Sequence, residues 1–148
     1  MKFTSKFVVF CRELFSNFNS ITSVEFGENV NLFEINSGLF KNCPNLHKVI
    51  IPSSCVRICY EAFSDCVNLK TLLFGKVDKS REKKHSLKII GCKAFYNCSS
   101  IQNIVLPPTV QRIESCAFMN CKNLKRIEFG ILHLNDENKT SVHYDKEH

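Results

Sequence analysis

Residues 116–130 read Cys-Ala-Phe-Met-Asn-Cys-Lys-Asn-Leu-Lys-Arg-Ile-Glu-Phe-Gly, and residues 61–75 read Glu-Ala-Phe-Ser-Asp-Cys-Val-Asn-Leu-Lys-Thr-Leu-Leu-Phe-Gly. The two lines superpose without a gap, and each sets Phe and Cys three residues apart. The same pair recurs at Phe40/Cys43 and Phe95/Cys98, so from Phe40 onward the Phe-to-Phe steps are 23, 32 and 23 residues. That is one period with an insertion of nine. A period has to be found before any other feature, because missing it misassigns the whole fold.

With each Phe as origin, the rest of the chain falls into columns. Three residues after the Cys stands Leu46, Leu69, Ile101 or Leu124. Three further on stands Val49, Leu72, Ile104 or Ile127, and two beyond that Ile51, Phe74, Leu106 or Phe129. Five residues before the Phe lies Ile35, Ile58, Ile90 or Ile113, and eight before it Leu32, Cys55, Leu87 or Val110. The ruler extends back to Phe15, where it predicts apolar residues and meets Phe7, Phe10, Leu14, Phe18, Ile21, Val24 and Phe26. Phe18 stands where later units have Cys. Phe3 and Phe33 fall outside the scheme. The pattern predicts about five units.

The period of about 23 residues lies in the range of roughly 20–29 known for leucine-rich repeats. Near the end of each unit, apolar and polar residues alternate as in a half-buried strand. The alternation stops at Gly27, Pro52, Gly75, Pro107 or Gly130, residues that end strands. The arm before each Phe has room for one helical turn. Two positions after each Phe sits Asn17, Asn42, Asp65, Asn97 or Asn120. Asn and Asp tolerate the left-handed conformation and suit a turn out of that arm. Stacked units place strands side by side in a parallel sheet and Phe above Phe; each unit buries its apolar face only against its neighbours.

The composition agrees with one domain. The chain has 148 residues, 44% of them hydrophobic, which excludes a long disordered chain. No run reaches the roughly 18 apolar residues of a membrane helix. Thirteen Phe against three Tyr and no Trp, and nine Cys, are the two excesses; the net charge of +6 is only mildly basic.

The pattern resembles the bacterial-surface-antigen (BspA-like) class of leucine-rich repeats over roughly residues 7 to 130. The motifs carrying the resemblance are Val49-Ile50-Ile51-Pro52, Glu61-Ala62-Phe63-Ser64-Asp65-Cys66-Val67-Asn68-Leu69 and Cys116-Ala117-Phe118-Met119-Asn120-Cys121-Lys122-Asn123-Leu124. The first unit departs from it by lacking Cys and Pro, and the third by carrying the insertion. The resemblance implies a solenoid that binds proteins, with some members acting as cell-surface adhesins. It carries no catalytic residues over.

The cysteine column Cys43, Cys66, Cys98 and Cys121 reads as a ladder of small buried apolar side chains, and Cys55 reads the same way. Phe18 in that column argues for an apolar role. Zinc binding is the competing reading, yet there is no Cys-x-x-Cys, and the closest spacings are Cys55-x3-Cys59, Cys116-x4-Cys121 and Cys92-x5-Cys98. Cys59, Cys92 and Cys116 lie outside the apolar columns and are expected nearer the surface. Nine is odd, so the thiols cannot all pair within one chain, and unpaired thiols favour a reducing, cytoplasmic compartment. The start Met1–Cys11 begins like an export signal, but its apolar run of five residues ends at Arg12 and Glu13. The cell surface is the alternative location.

Two columns of strand side chains point outward by alternation. One holds Ser23, Lys48, Thr71, Asn103 and Arg126; the other holds Glu25, Ile50, Leu73, Val105 and Glu128. The centre of the second column is apolar and its ends are acidic, which is how interaction patches are built. The competing readings are that β-branched residues simply suit strands, or that the chain itself covers this face. Lys48, Ile50, Thr71, Leu73, Asn103, Val105, Arg126 and Glu128 are the candidate partner-binding residues.

Residues 76–85 carry five positive and two negative charges and are expected to loop out as a solvated insertion spanning 75–86. No aromatic interleaves these lysines, which argues against a nucleic-acid partner. Ile131, Leu132 and Leu134 are expected to cover the open edge of the last unit, and residues 135–148 to form a polar disordered tail. The solenoid is thus expected over residues 1–134. His133, His143 and His148 are weak grounds for a metal, and no metal, cofactor or small-molecule substrate is predicted. No Gly-x-Ser-x-Gly, phosphate loop or His-Glu-x-x-His occurs, so no enzyme is predicted. The reading is a mostly-β repeat solenoid, a parallel sheet on one face and turns or one-turn helices on the other, that binds a protein partner. A structural module that self-associates end to end, or a fragment of a cell-surface adhesin, is the alternative.

Overall fold

The computed structural model describes residues 1–3, 10–27, 30–75 and 86–130. Among these residues ten strands occur, in chain order β1 (Lys2–Phe3), β2 (Ser23–Phe26), β3 (Glu34–Ile35), β4 (Lys48–Ile51), β5 (Arg57–Ile58), β6 (Thr71–Phe74), β7 (Ile89–Ile90), β8 (Asn103–Leu106), β9 (Arg112–Ile113) and β10 (Arg126–Phe129). All strand pairs are parallel. The four-residue strands and β1 form a front sheet, in order β1-β2-β4-β6 and then β8-β10, and the other short strands form a back sheet, β3-β5-β7-β9. The chain is a mostly-β parallel solenoid.

The Phe spine is the axis of the core. Phe15, Phe40, Phe63, Phe95 and Phe118 stack in sequence with ring centroids 5.3–5.4 Å apart and planes within 13° of parallel. Phe40, Phe63 and Phe95 are fully buried. Each such burial stabilises by roughly 1.5–3 kcal/mol, and offset aromatic pairs add about 0.5–1.5 kcal/mol. The Ile column (Ile35, Ile58, Ile90) and the strand columns (Val24, Val49, Leu72, Ile104) close the remaining space.

The arm carrying the Phe contains turns and no helix, the first of the two expected alternatives. Alternate arm residues instead bond the next unit, and those between them close turns within the arm. The Phe15, Phe40, Phe63 and Phe95 amides donate to the carbonyls of Leu39, Ala62, Ala94 and Ala117 at 2.8–3.0 Å. An intra-arm helical bond would consume those donors. Two left-handed residues per unit make the arm possible. One column is the expected Asn17, Asn42, Asp65, Asn97 and Asn120; the other, Glu13, Gly38, Glu61, Lys93 and Cys116, lies two residues before the Phe, and all ten have φ between 52° and 62°. The second column has no chemical signature, because only Gly38 is a residue that favours this conformation.

Three expectations change. Phe3 belongs to the scheme: β1 pairs with β2, placing Phe3 opposite Phe26. Leu14 and Phe18 sit in predicted apolar columns yet are 51% and 47% exposed. The back sheet was not foreseen, because strands of two residues leave no alternation to read. Phe7, the insertion 76–85, Ile131, Leu132, Leu134, His133, His143, His148 and the tail lie outside the described residues.

Candidate functional site

Register puts the two outward columns side by side on the front sheet. Ser23 pairs with Lys48 and Lys48 with Thr71; Glu25 pairs with Ile50 and Ile50 with Leu73. Asn103 pairs with Arg126 and Val105 with Glu128. Between them the inward residues Val24, Val49, Leu72 and Ile104 are at most 5% exposed, while Leu73 and Val105 are 47% and 55% exposed and Ile50 is half-buried. Arg126 and Glu128 bond each other at 3.0 Å. The face is an apolar centre with charged ends.

The front sheet is interrupted. β6 and β8 share no ladder, although the Phe63 and Phe95 rings stack at 5.3 Å and β5 pairs with β7 across the same junction. The Thr71 and Gly75 amides turn toward β4, donating to His47 and Ile51 carbonyls at 3.0 and 2.6 Å. By strand alternation the peptide groups of Leu72 and Phe74 therefore face β8 and have no ladder partner. The β8–β10 ladder likewise turns Asn103 and Val105 toward β6. Leu73 and Val105 stand on the two sides of this seam. The nine-residue insertion leaves the chain at the same junction, and it is the one sequence signal for the break.

Two more basic residues border the face. Lys70 and Lys125 are exposed immediately before β6 and β10, next to Lys48 and Arg126 of the outer column. They fall one position outside the strand columns and so escape alternation.

The cysteines are polar as well as apolar. The thiols of Cys43, Cys66, Cys98 and Cys121 donate to the Phe carbonyls of the preceding unit, Phe15, Phe40, Phe63 and Phe95, each at 3.1 Å. Phe18 is therefore no support for a purely apolar column; it sits exposed, one unit ahead of the first thiol–carbonyl bond. Burial pushes Cys98 well up, Cys55 up to about 12 and Cys121 up to about 11, while the Cys43 thiol and burial raise Cys66. Cys59 is half-buried, and burial with the adjacent Glu34 carboxylate raises it to about 11. Cys11 and Cys116 are exposed and Cys92 half-buried, with the Cys92 sulfur accepting a 3.5 Å bond from Ser115. A thiol held protonated is a poor nucleophile. Among the described residues no three His, Cys, Asp or Glu side chains group as metal donors.

The arm side bears a polar depression of about 540 Å³ lined by Glu13, Lys41, Asp65 and the Asn17, Asn42 and Asn97 column. Its side chains already bond one another: Asn42 donates to Asn17 at 2.6 Å and Asn97 to Asp65 at 2.9 Å. Lys41 is paired with Glu61 at 2.5 Å. Nearby, Asn45, Asn68 and Asn123 each staple the carbonyl of the preceding unit at 2.8 Å. These asparagines are structural.

A coil of parallel strands, stacked Phe and Asn staples at a period of about 23 residues is a leucine-rich repeat solenoid. The chain belongs to the BspA-type leucine-rich repeat family, whose model matches residues 1–87 and 79–139 in six copies. A leucine-rich cell surface protein of Faecalibacterium prausnitzii has a similar fold, at 23% identity and TM-score 0.68, over 89% of this chain and 32% of that one. The leucine-rich repeat protein of T. pallidum is 26% identical at TM-score 0.67, over 85% of this chain and 50% of its own. One from Bacteroides ovatus is 24% identical at TM-score 0.66, over 86% and 33%. The chain thus spans a third to a half of the length of these solved proteins. No curated protein matches it. No helix among the described residues is long and apolar enough to cross a membrane.

Proposed function

We propose that the chain is a non-enzymatic module that binds a partner protein through the front face, with Ile50, Leu73 and Val105 as the apolar anchor and Lys48, Thr71, Asn103, Arg126 and Glu128 around it. The observation that carries this reading is the pair Leu73 and Val105, two large apolar side chains about half exposed on a sheet whose other face is sealed. Leucine-rich repeats are generally interaction scaffolds, which favours recognition over catalysis. Leu73→Glu is expected to abolish capture of a partner by the immobilised chain while leaving the circular-dichroism melt unchanged. A collapsed melt, or capture that survives, overturns the assignment.

End-to-end self-association is the second reading. Leu14 and Phe18 are exposed in the first unit, and Ile113 and Met119, at 39% and 53%, in the last. Sedimentation over a range of concentrations separates the two, a constant monomer excluding self-stacking. For location, the proposal is a reducing compartment, since all nine cysteines are free thiols; the cell-surface relative from F. prausnitzii is the competing precedent. A thiol count on the native protein decides it.

A further inference from the structure

Some basic residues of the arm and back sides are matched, Lys41 with Glu61 at 2.5 Å, Arg57 with Glu34 at 4.0 Å and Arg112 with Glu114 at 3.3 Å. On the front, Lys48, Lys70 and Lys125 are exposed and make no ion pair among the described residues. The only acids of the outward columns, Glu25 and Glu128, stand at the two ends, and Glu128 is taken by Arg126. Between those ends lie the apolar side chains and the seam, where the peptide groups of Leu72 and Phe74 lack a ladder.

Resting on the reading that this face binds protein, we propose that its ligand is an extended acidic segment of a partner, with apolar side chains alternating with carboxylates. The alternation of an extended chain sends side chains to opposite sides every second residue. Lying on edge across the strands, the segment turns its apolar groups toward Leu73 and Val105 and its carboxylates toward Lys48, Lys70 and Lys125, which stand at or just before the strand starts. Nucleic acid would satisfy the lysines but would leave Leu73 and Val105 against a charged backbone. The lysines set orientation and association rate, and the apolar pair holds the complex.

The test uses the intact chain and three labelled probes followed by fluorescence anisotropy: a peptide alternating Glu and Leu, its Lys and Leu counterpart, and single-stranded DNA. The Glu/Leu peptide is expected to bind, more weakly as salt rises. Lys70→Glu with Lys125→Glu is expected to weaken it about tenfold, and Leu73→Glu with Val105→Glu to abolish it, all variants keeping the parent melt. Failure of the Glu/Leu peptide to bind, equal binding of the Lys/Leu peptide, or DNA binding indifferent to Leu73 overturns the proposal. Partner capture that needs Leu73 but ignores the lysine reversals overturns the acidic ligand and leaves the face assignment standing. Capture indifferent to both removes the two together.

Discussion

The Cys98 thiol donates to the Phe63 carbonyl, one unit earlier, at 3.1 Å, and the same carbonyl accepts the Cys66 amide at 3.3 Å. Both lone pairs of a buried oxygen are thereby used, and the bond joins neighbouring units across the core. Cys98→Val removes the donor and keeps an apolar side chain, larger by about one methyl group. It is expected to lower stability by about 1 kcal/mol, read from urea unfolding. A variant as stable as the parent would reduce the cysteine to packing.

The raised thiols set an alkaline limit. A thiol whose folded-state pKa is raised contributes stability that is complete below its unfolded value, near 9.0, and is lost as pH rises through the folded value. For Cys121 that value is about 11 and for Cys55 about 12. The melting temperature should therefore be level up to pH 9 and fall above it. Cys121→Ser should shallow the fall, and an unchanged slope would locate the effect elsewhere.

Two glycines are fixed for different reasons. Gly38 has φ +61°, and an added Cβ would lie 2.7 Å from the Glu13 Cγ. Gly38→Ala is expected to cost about 1–2 kcal/mol for the left-handed backbone, with a clash that Glu13→Ala relieves. At Gly91 the added Cβ meets backbone, 2.8 Å from the Ile58 oxygen and 2.9 Å from the Cys59 carbonyl carbon. Gly91→Ala must part β5 from β7 and should be the more harmful of the two. Equal melts would contradict this ranking.

Asn97 combines a φ of +57° with a 2.9 Å bond to Asp65. Asn97→Gly loses only the bond, and Asn97→Ala loses the bond and strains the backbone. Alanine should thus be worse than glycine by about 1 kcal/mol, a reversal of the usual order. Thermal melts of the pair check it.

The Phe spine, the strand columns and the Asn corners were legible because a core packed identically in every unit repeats identical residue types, and Phe40, Phe63 and Phe95 can be aligned by eye. What escaped alignment had backbone causes. Glu13, Gly38, Glu61, Lys93 and Cys116 share a φ and nothing else, so no chemical column announces their corner. The back strands are too short to alternate. The thiol bonds were hidden because a hydrogen-bonded Cys and an apolar Cys look alike in a sequence. At the candidate site, alternation named the outward columns, but Lys70 and Lys125 precede the strands, and the break between β6 and β8 showed only as nine extra residues.

That break also governs how the molecule bears force. At the junctions between the second and third units and between the fourth and fifth, the front sheet, the back sheet and the arm all hold neighbouring units together. Between the third and fourth units the front sheet contributes no ladder, and the load rests on the back strands and the arm. Tension drawn along the coil would part the chain there first, beside Leu73 and Val105, so a tethered partner and a mechanical fuse would share one address.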